Sequence, residues 1–184
     1  MSEKNAGDAG QPTAQPGTQP TGEQAAAQEP RLSVLTQYIK DLSFENPSAP
    51  VIYAQLKGQP TITVNIDVRV GRLQERLAEV ALRLRLEAKA ETTVAFICEL
   101  EYAGLCALGG APSAAEAERL YLVDAATLLF PFARAILANQ IRDGGFAPLM
   151  LAPIDFQKLY QQRRAASEGA VSANLEIPAQ QGNA

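Results

Sequence analysis

Strict alternation of apolar and polar side chains marks two neighbouring segments of this chain. Every second residue of 61–70 is Ile or Val, and residues 82–89 alternate in the same way between aliphatic and charged side chains. A period of two sends successive side chains to opposite faces of a strand. Both segments therefore predict antiparallel strands with one buried face and one solvent-facing side.

Residues 92–108 predict a further strand, in which one face is apolar and the other carries most of the charge. The apolar face consists of Phe96, Cys98, Leu100 and Tyr102, and the opposite face of Ile97, Glu99 and Glu101. Gly104 predicts a bulge or a bend near the end of this strand.

Residues 32–45 predict the first strand of the sheet, with apolar groups on both of its sides. Counting by twos gives one side Val34, Tyr38, Leu42 and Phe44. The opposite side receives Leu35, Ile39, Asp41 and Glu45. A strand that is apolar on two faces indicates that one of them lies at an interface. Pro47 and Pro50 end the strand, and an unusually apolar connecting segment leads to Pro60.

Residues 128–142 predict a long helix, because the strong helix formers Ala, Leu and Arg dominate them. Thr127 is the expected N-cap, Pro131 falls within the first turn, and Gly144 and Gly145 supply the stop. At about 100° per residue, the large apolar side chains sweep an arc of roughly 220°, whereas an ordinary surface helix shows a stripe of about 100° or somewhat more. Such a helix needs cover on two sides. The sheet supplies one cover, so we infer that another copy of the protein supplies the second.

Two shorter helical pieces flank the long helix. Ser113 and Glu116 fit a capping box ahead of it, and Asp155 is expected to cap a short helix that ends near Arg164.

All predicted helices follow all predicted strands, which predicts an α+β fold. Its expected form is a four-stranded antiparallel sheet with one long and one short C-terminal helix packed on one face, assembled as a homo-oligomer. The oligomer contacts are expected at Phe132, Ala133, Ile136, Leu137, Cys98, Leu100 and Tyr102.

Composition divides the chain into one domain and two tails. Residues 1–30 hold Gln, Pro, Gly, Thr and Ala with almost no larger apolar side chain, and a polar composition returns from residue 165. Such segments bury too little surface to offset the entropy of ordering, so 1–30 and 165–184 are predicted to be a disordered arm and a disordered tail around a domain at 31–164.

The N-terminus lacks the apolar core of a signal peptide, and no run reaches the roughly 20 apolar residues of a membrane span. A cytoplasmic protein without direct membrane insertion is the expectation.

Charge and reactive side chains exclude several classes of function. The net charge of −4 and the pI near 5.0 argue against nucleic acid as a partner. The absence of histidine removes Ser/His/Asp and Cys/His catalysis and all His-containing metal sites. Cys98 and Cys106 would be about 26 Å apart on one extended segment, which is beyond disulfide reach. Without a glycine-rich phosphate loop or a metal-spaced cluster, we expect no enzyme, no cofactor and no metal.

Four blocks of residues, in the same order along the chain, resemble the SecB family of protein-export chaperones. The blocks are KDLSFENPSAP at 40–50, EYAGLC at 101–106, LFPFAR at 129–134 and LAPIDF at 151–156. The resemblance covers about 31–164 and leaves out both tails. It implies a homotetramer, a dimer of dimers, in which long helices lie between two sheets. It also implies ATP-independent binding of unfolded precursor proteins and their delivery to the SecA motor.

The resemblance further implies two working surfaces. Acidic and apolar positions on the outer sheet face contact SecA in the family, and their matches here are Asp41, Glu45, Ile97 and Glu99. Precursors bind in apolar grooves near the crossover segment and the last helix, where the matches are Phe44, Tyr53, Leu56, Phe146, Phe156 and Tyr160. Family members commonly carry a tryptophan before the Gln-Pro of the crossover, whereas this chain has Lys57 and Gly58 there and no tryptophan at all.

Two other readings of the same residues remain open at this point. An enzyme would need carboxylates with perturbed pKa values, yet alternation places most acidic residues on the wet face of the sheet. An oligomeric scaffold without client-holding activity would share the fold and differ only in what its grooves hold. For the outer-face acids, solubility alone is the competing explanation.

Overall fold

The computed structural model describes residues 31–167, with side chains described for 31–165. The strands are β1 (Arg31–Glu45), β2 (Thr61–Gln74), β3 (Leu77–Ala90) and β4 (Thr93–Gly109). The helices are α1 (Val51–Gln55), α2 (Ala114–Arg119), α3 (Ala126–Asp143) and α4 (Phe156–Ser167), and a π-helical turn, Leu120–Ala125, joins α2 to α3. The predicted arm, 1–30, and residues 168–184 of the predicted tail lie outside the described residues.

The four strands form one antiparallel sheet in the order β1-β4-β3-β2. Hairpins join β2, β3 and β4, and the crossover connection 46–60 links the two edge strands, which is a Greek-key arrangement. One long and one short helix follow the sheet in the chain, so the predicted α+β fold class is confirmed for the single chain. The predicted end of the short helix at Arg164 is three residues early, because α4 continues to Ser167.

Alternation along β2, β3 and β4 translates directly into burial. The inner face of these strands is largely buried, and at most 2% of each residue is exposed at Val64, Leu82, Leu84, Leu86, Cys98 and Leu100. The outer face carries the polar and charged partners of these residues. Packing of the apolar face against the helices is the main favourable contribution to folding.

β1 departs from its predicted alternation, because its register against β4 shifts at Leu35 and again at Lys40. Each shift adds one residue to β1 and moves the following side chains to the opposite face. Tyr38 therefore lies on the outer face, where its hydroxyl donates a hydrogen bond to Glu79, while Ile39 lies on the inner face. The count by twos was wrong for both residues.

The long helix begins earlier than predicted and has no break at Thr127. Helices α2 and α3 and the π-helical turn together span Ala114–Asp143. Ser113 forms the predicted capping box, since its side chain accepts the Glu116 N–H and the Glu116 side chain accepts the Ser113 N–H. Thr127 is not an N-cap, because its hydroxyl donates a 2.7 Å hydrogen bond to the Val123 carbonyl inside the helix.

Close packing of α3 on the sheet explains the glycine in β4. Leu129, Ala133 and Leu137 of α3 are completely buried. A Cβ at Gly104 would lie only 2.9 Å from Cδ2 of Leu129, so glycine lets the helix approach the strand. β4 passes through Gly104 without a register shift, so of the two predicted alternatives, a bulge or a bend, the bulge is wrong for β4. The nearby irregularity lies in β1, between Val34 and Thr36. By length and composition the helix 114–143 could cross a membrane, but half of its most apolar window is buried in this core.

The crossover connection contains a short helix that the sequence pattern did not indicate. Helix α1 is five residues long, too short for its apolar residues to show a helical period. Its Ile52 is completely buried, which anchors the connection to the core. The prediction that every helix follows every strand is therefore wrong at α1.

Candidate functional site

The end of α3 directs Phe146 toward the sheet. Gly145 has a φ of +85°, a left-handed conformation that glycine adopts without strain. Its N–H donates to the Arg142 carbonyl at 2.9 Å, and the Phe146 N–H donates to the Ile141 carbonyl at 3.2 Å. These two hydrogen bonds form a Schellman motif, so the predicted glycine stop is confirmed.

Phe146 joins three other rings in a group that we call the aromatic cluster: Phe44, Tyr53, Phe96 and Phe146. The Phe146 ring centroid lies 4.8 Å from that of Phe96 and 5.4 Å from that of Tyr53. Phe44 stacks on Phe96 at 5.6 Å with an interplanar angle of 23°. The cluster thus brings together β1, α1, β4 and the segment after α3, which are distant in sequence.

A hydroxyl fixes the position of α1 in this cluster. Tyr53 donates a 2.7 Å hydrogen bond to the Gly144 carbonyl and accepts a 2.6 Å hydrogen bond from Nδ2 of Asn46. Phe96 and Asn46 were not among the predicted site residues. Phe96 follows the apolar alternation of β4 and reads as core, and Asn46 acts through a partner seven positions away, so no spacing rule singles out either residue.

One side of the aromatic cluster is open to solvent. Phe96 is 1% exposed and forms the buried base of the cluster, whereas Tyr53 is 44% exposed. Phe44, Phe146 and Leu56 are half-buried and pack against the core. The cluster therefore presents several aromatic and aliphatic surfaces that another chain could cover, and apolar surface of this kind marks interaction sites.

The two predicted groove residues on α4 have a different setting. Phe156 is 3% exposed and meets Phe130 of α3 edge to face at 5.8 Å, so it packs in the core of the single chain. Its role in a client groove stays a prediction. Tyr160 is 9% exposed and lines a crevice between α2 and α4, where the Arg164 guanidinium lies 5.8 Å from its ring centroid. Of the six predicted groove residues, the aromatic cluster unites Phe44, Tyr53 and Phe146.

The four predicted docking residues lie together on the outer face, on the paired strands β1 and β4. In the register of this pair, Asp41 is opposite Glu101 and Glu45 is opposite Ile97, while Glu99 lies between these two rows. We call Asp41, Glu45, Ile97 and Glu99 the outer acidic surface. The two register shifts in β1 leave Asp41 and Glu45 on the face that alternation gives to Ile97 and Glu99.

Neighbouring basic residues neutralise only part of this surface. Glu99 forms an ion pair with Arg85 of β3. Among residues 31–167, the ion pairs include neither Asp41 nor Glu45, and both side chains are exposed. These two carboxylates are available to a basic partner, with the half-buried Ile97 beside them.

The predicted oligomer contacts divide by burial. Ala133, Leu137, Cys98 and Leu100 are at most 2% exposed and Tyr102 is 7% exposed, so these five are covered within the single chain. Their part in a contact between copies stays a prediction. Phe132 is 51% exposed and Ile136 is half-buried. Exposed apolar residues continue this stripe along α3 at Leu128, Pro131, Phe132 and Ala135.

Both cysteines are free and buried in the sheet. Burial disfavours the thiolate and raises the pKa of Cys98 and of Cys106 to about 11. A thiol with such a pKa is almost entirely protonated at neutral pH, so neither cysteine is an activated nucleophile.

The amino-acid sequence of this chain is similar to the sequences of one known protein family. A family profile described as preprotein translocase subunit SecB matches residues 25–167. The chain is 46% identical to the protein-export protein SecB of Parvibaculum lavamentivorans over 144 residues, which are 78% of this chain and 85% of that protein. It is also 46% identical to the protein-export protein SecB of Granulibacter bethesdensis over 165 residues, covering 85% of this chain and 94% of that protein.

A solved structure shares the fold. A SecB-like chaperone of Mycobacterium tuberculosis, in complex with a peptide from the HigA1 antitoxin, superposes with a TM-score of 0.57. The match covers 67% of this chain and 91% of that chain at 14% identity. At such low identity the likeness establishes the shared fold.

The hydrogen bonds that Lys40 and Tyr38 donate to Glu79 on the outer face should make the stability of the fold depend on pH. A hydrogen bond from Lys40 and another from Tyr38 lower the pKa of Glu79. A carboxyl whose pKa is lower in the folded state stabilises the fold above its ordinary pKa of 4.5, and this stabilisation is lost as pH falls through the lowered value. We expect Glu79→Gln to lower thermal stability at neutral pH and to match the wild type in acid.

Thermal unfolding between neutral pH and about pH 3 measures this difference. Glu118→Gln is the control, since Glu118 takes part in none of the ion pairs described for residues 31–167. A difference between wild type and Glu79→Gln that stays constant down to acid pH would contradict the prediction.

Proposed function

Because the chain belongs to the SecB family, we propose that it is an ATP-independent chaperone that binds unfolded precursor proteins, keeps them competent for translocation and delivers them to the SecA motor. The half-exposed aromatic cluster is the observation that carries this proposal. It offers side chains from three segments, Phe44, Tyr53 and Phe146, on one accessible surface, and the buried ring of Phe96 lies beneath them.

Apolar burial supplies the binding free energy in the absence of a nucleotide. Each Å² of apolar surface removed from water contributes about 25 cal/mol, and aromatic rings add geometry-dependent contacts. An unfolded precursor exposes apolar and aromatic side chains, whereas a folded protein keeps most of them in its core. The aromatic cluster therefore selects for the unfolded state, and slowly folding proteins remain available for longer.

The shape of the site suits an extended chain. Phe44 lies on an edge strand, Tyr53 on the crossover helix and Phe146 beyond the end of α3, so the cluster lies where three elements meet. The SecB-like chaperone of M. tuberculosis has been solved with a peptide bound, which supports peptide binding by this fold. The Gln-Pro of the crossover follows Gly58 in this chain, so the proposed site contains no tryptophan at that point.

The outer acidic surface is proposed to dock on SecA. Asp41 and Glu45 extend two exposed carboxylates from β1, and Ile97 supplies an apolar contact beside them. Opposite charges across an interface accelerate and orient association. A solvent-exposed acidic surface with one apolar residue at its end, opposite Glu45, suits a partner with basic side chains beside an apolar group.

Self-assembly into a homotetramer, a dimer of dimers, completes the proposal. The stripe from Leu128 to Ala135 leaves apolar side chains of α3 exposed in the single chain, and a second copy would cover them. We place the assembly in the cytoplasm, where free buried thiols such as Cys98 and Cys106 remain reduced. No catalytic step is part of this function.

Replacing Phe146 by alanine tests the aromatic cluster. The change removes the ring that contacts both Tyr53 and Phe96, so we expect affinity for an unfolded peptide to fall about tenfold, which equals about 1.4 kcal/mol. The chain has no tryptophan, so the emission of a single tryptophan in the peptide reports binding alone. Leu73→Ala is the matched control, because Leu73 is an exposed apolar residue at 60% that lies outside the cluster.

Equal binding of the peptide by Phe146→Ala and the wild type would contradict the role of the cluster. The same titration with a denatured precursor and with its native form tests selectivity, and we expect binding of the denatured form only. An oligomer that binds neither the peptide nor the denatured precursor would be a scaffold and not a chaperone.

Replacing Asp41 by lysine tests the docking surface. The new positive charge should repel the basic partner, so we expect SecA binding to weaken about tenfold while peptide binding stays unchanged. Surface plasmon resonance with immobilised SecA measures the first quantity and tryptophan emission the second. Glu118→Lys makes the same change of charge on α2, away from β1, and should leave both unchanged. Loss of peptide binding together with SecA binding in Asp41→Lys would argue against two separate surfaces.

A further inference from the structure

Gly144 does not need to be glycine for the sake of its backbone. Its φ of −73° and ψ of 1° fall in a region that every L-amino acid can adopt. Its neighbour Gly145, with a φ of +85°, is the residue that requires glycine for the Schellman motif. The reason for glycine at position 144 must therefore lie in what surrounds it.

The ring of Phe44 occupies the space that a side chain at Gly144 would need. A Cβ added to Gly144 would lie 2.2 Å from Cζ and 2.4 Å from Cε1 of Phe44, far inside van der Waals contact. The Phe44 ring thus rests directly on the backbone at the end of α3. The carbonyl of the same glycine accepts the hydroxyl of Tyr53 at 2.7 Å, so one residue contacts two members of the aromatic cluster.

The contact with the Gly144 backbone limits where the Phe44 ring can lie. On one side the ring stacks on Phe96, which is 1% exposed and cannot retreat. Phe146 lies 6.4 Å away, centroid to centroid. A methyl group at Gly144 would therefore push the ring away from the helix end, toward the open side of the cluster, where it would occupy the surface offered to a client.

We propose that Gly144 is a positioning residue for client binding. Because Gly144 has no side chain, the ring of Phe44 can pack against the end of α3. In that position the ring leaves the aromatic cluster open to an apolar or aromatic side chain of an unfolded chain. The inference rests on the proposed function and adds a residue whose effect acts entirely through Phe44. It also accounts for two consecutive glycines, one required by backbone conformation and the other by space.

Four proteins test the inference: wild type, Gly144→Ala, Phe44→Leu and the double variant. Leucine ends at its Cδ atoms and lacks the Cε1 and Cζ atoms that the new Cβ would meet. We expect Gly144→Ala to weaken binding of a tryptophan-containing unfolded peptide at least about tenfold, and the same change to cost less than about threefold when leucine stands at position 44. Gly71→Ala is the control, because a Cβ at Gly71 meets no atom within 4 Å, and its affinity should equal that of the wild type.

Binding of the peptide by Gly144→Ala within about twofold of the wild type would overturn the inference. An equal loss with Phe and with Leu at position 44 would also overturn it, because Gly144 would then act independently of that ring. Should Gly144→Ala alone fail to fold, the comparison of Phe44→Leu with the double variant decides: similar affinities support the inference, and a tenfold gap contradicts it. A wild-type protein that does not bind the peptide would instead refute the proposed function and this inference with it.

Discussion

The long helix built from α2, the π-helical turn and α3 packs its buried stripe directly onto the inner face of the sheet, and the other features of the chain depend on this contact. Gly104 lets Leu129 approach β4, and Leu129, Ala133 and Leu137 are completely buried as a result. The same contact holds α3 against the sheet, so that the Schellman motif at its end directs Phe146 toward Phe96 of β4. It also leaves the opposite flank of α3, including Leu128 and Phe132, apolar and half exposed.

Both proposed working surfaces use the same two strands from opposite sides. Phe44 enters the aromatic cluster while the next residue, Glu45, faces outward, and on β4 the buried Phe96 precedes Ile97 of the outer acidic surface. Antiparallel pairing of β1 with β4 thus places client binding and partner docking back to back across a single sheet. Substitutions on one face can leave the other intact, because successive side chains of a strand point to opposite faces of the sheet.

Local patterns predicted most of this fold. Alternation located β2, β3 and β4, and the glycine stop marked the end of the long helix. The capping box was predicted for a separate short helix, but it begins the continuous helix 114–143, because no break occurs at Thr127. Two register shifts in β1 are invisible to a count by twos, so Tyr38 and Ile39 were placed on the wrong faces. The resemblance supplied Phe44, Tyr53 and Phe146, but only the tertiary fold shows that they meet on Phe96, or that Phe156 is core. Likewise, a single sequence does not reveal that distant segments of the same chain bury five of the seven predicted oligomer-contact residues.

The central claim is that one sheet covers only one side of the long helix and that self-assembly covers the other. The molar mass of the protein in dilute solution, measured by light scattering, tests it most directly. The account predicts a mass of about four times that of the 19.6 kDa chain and a smaller particle for Phe132→Lys, which places a charge in the exposed stripe. A folded wild-type monomer, stable with Leu128 and Phe132 in water, would contradict it.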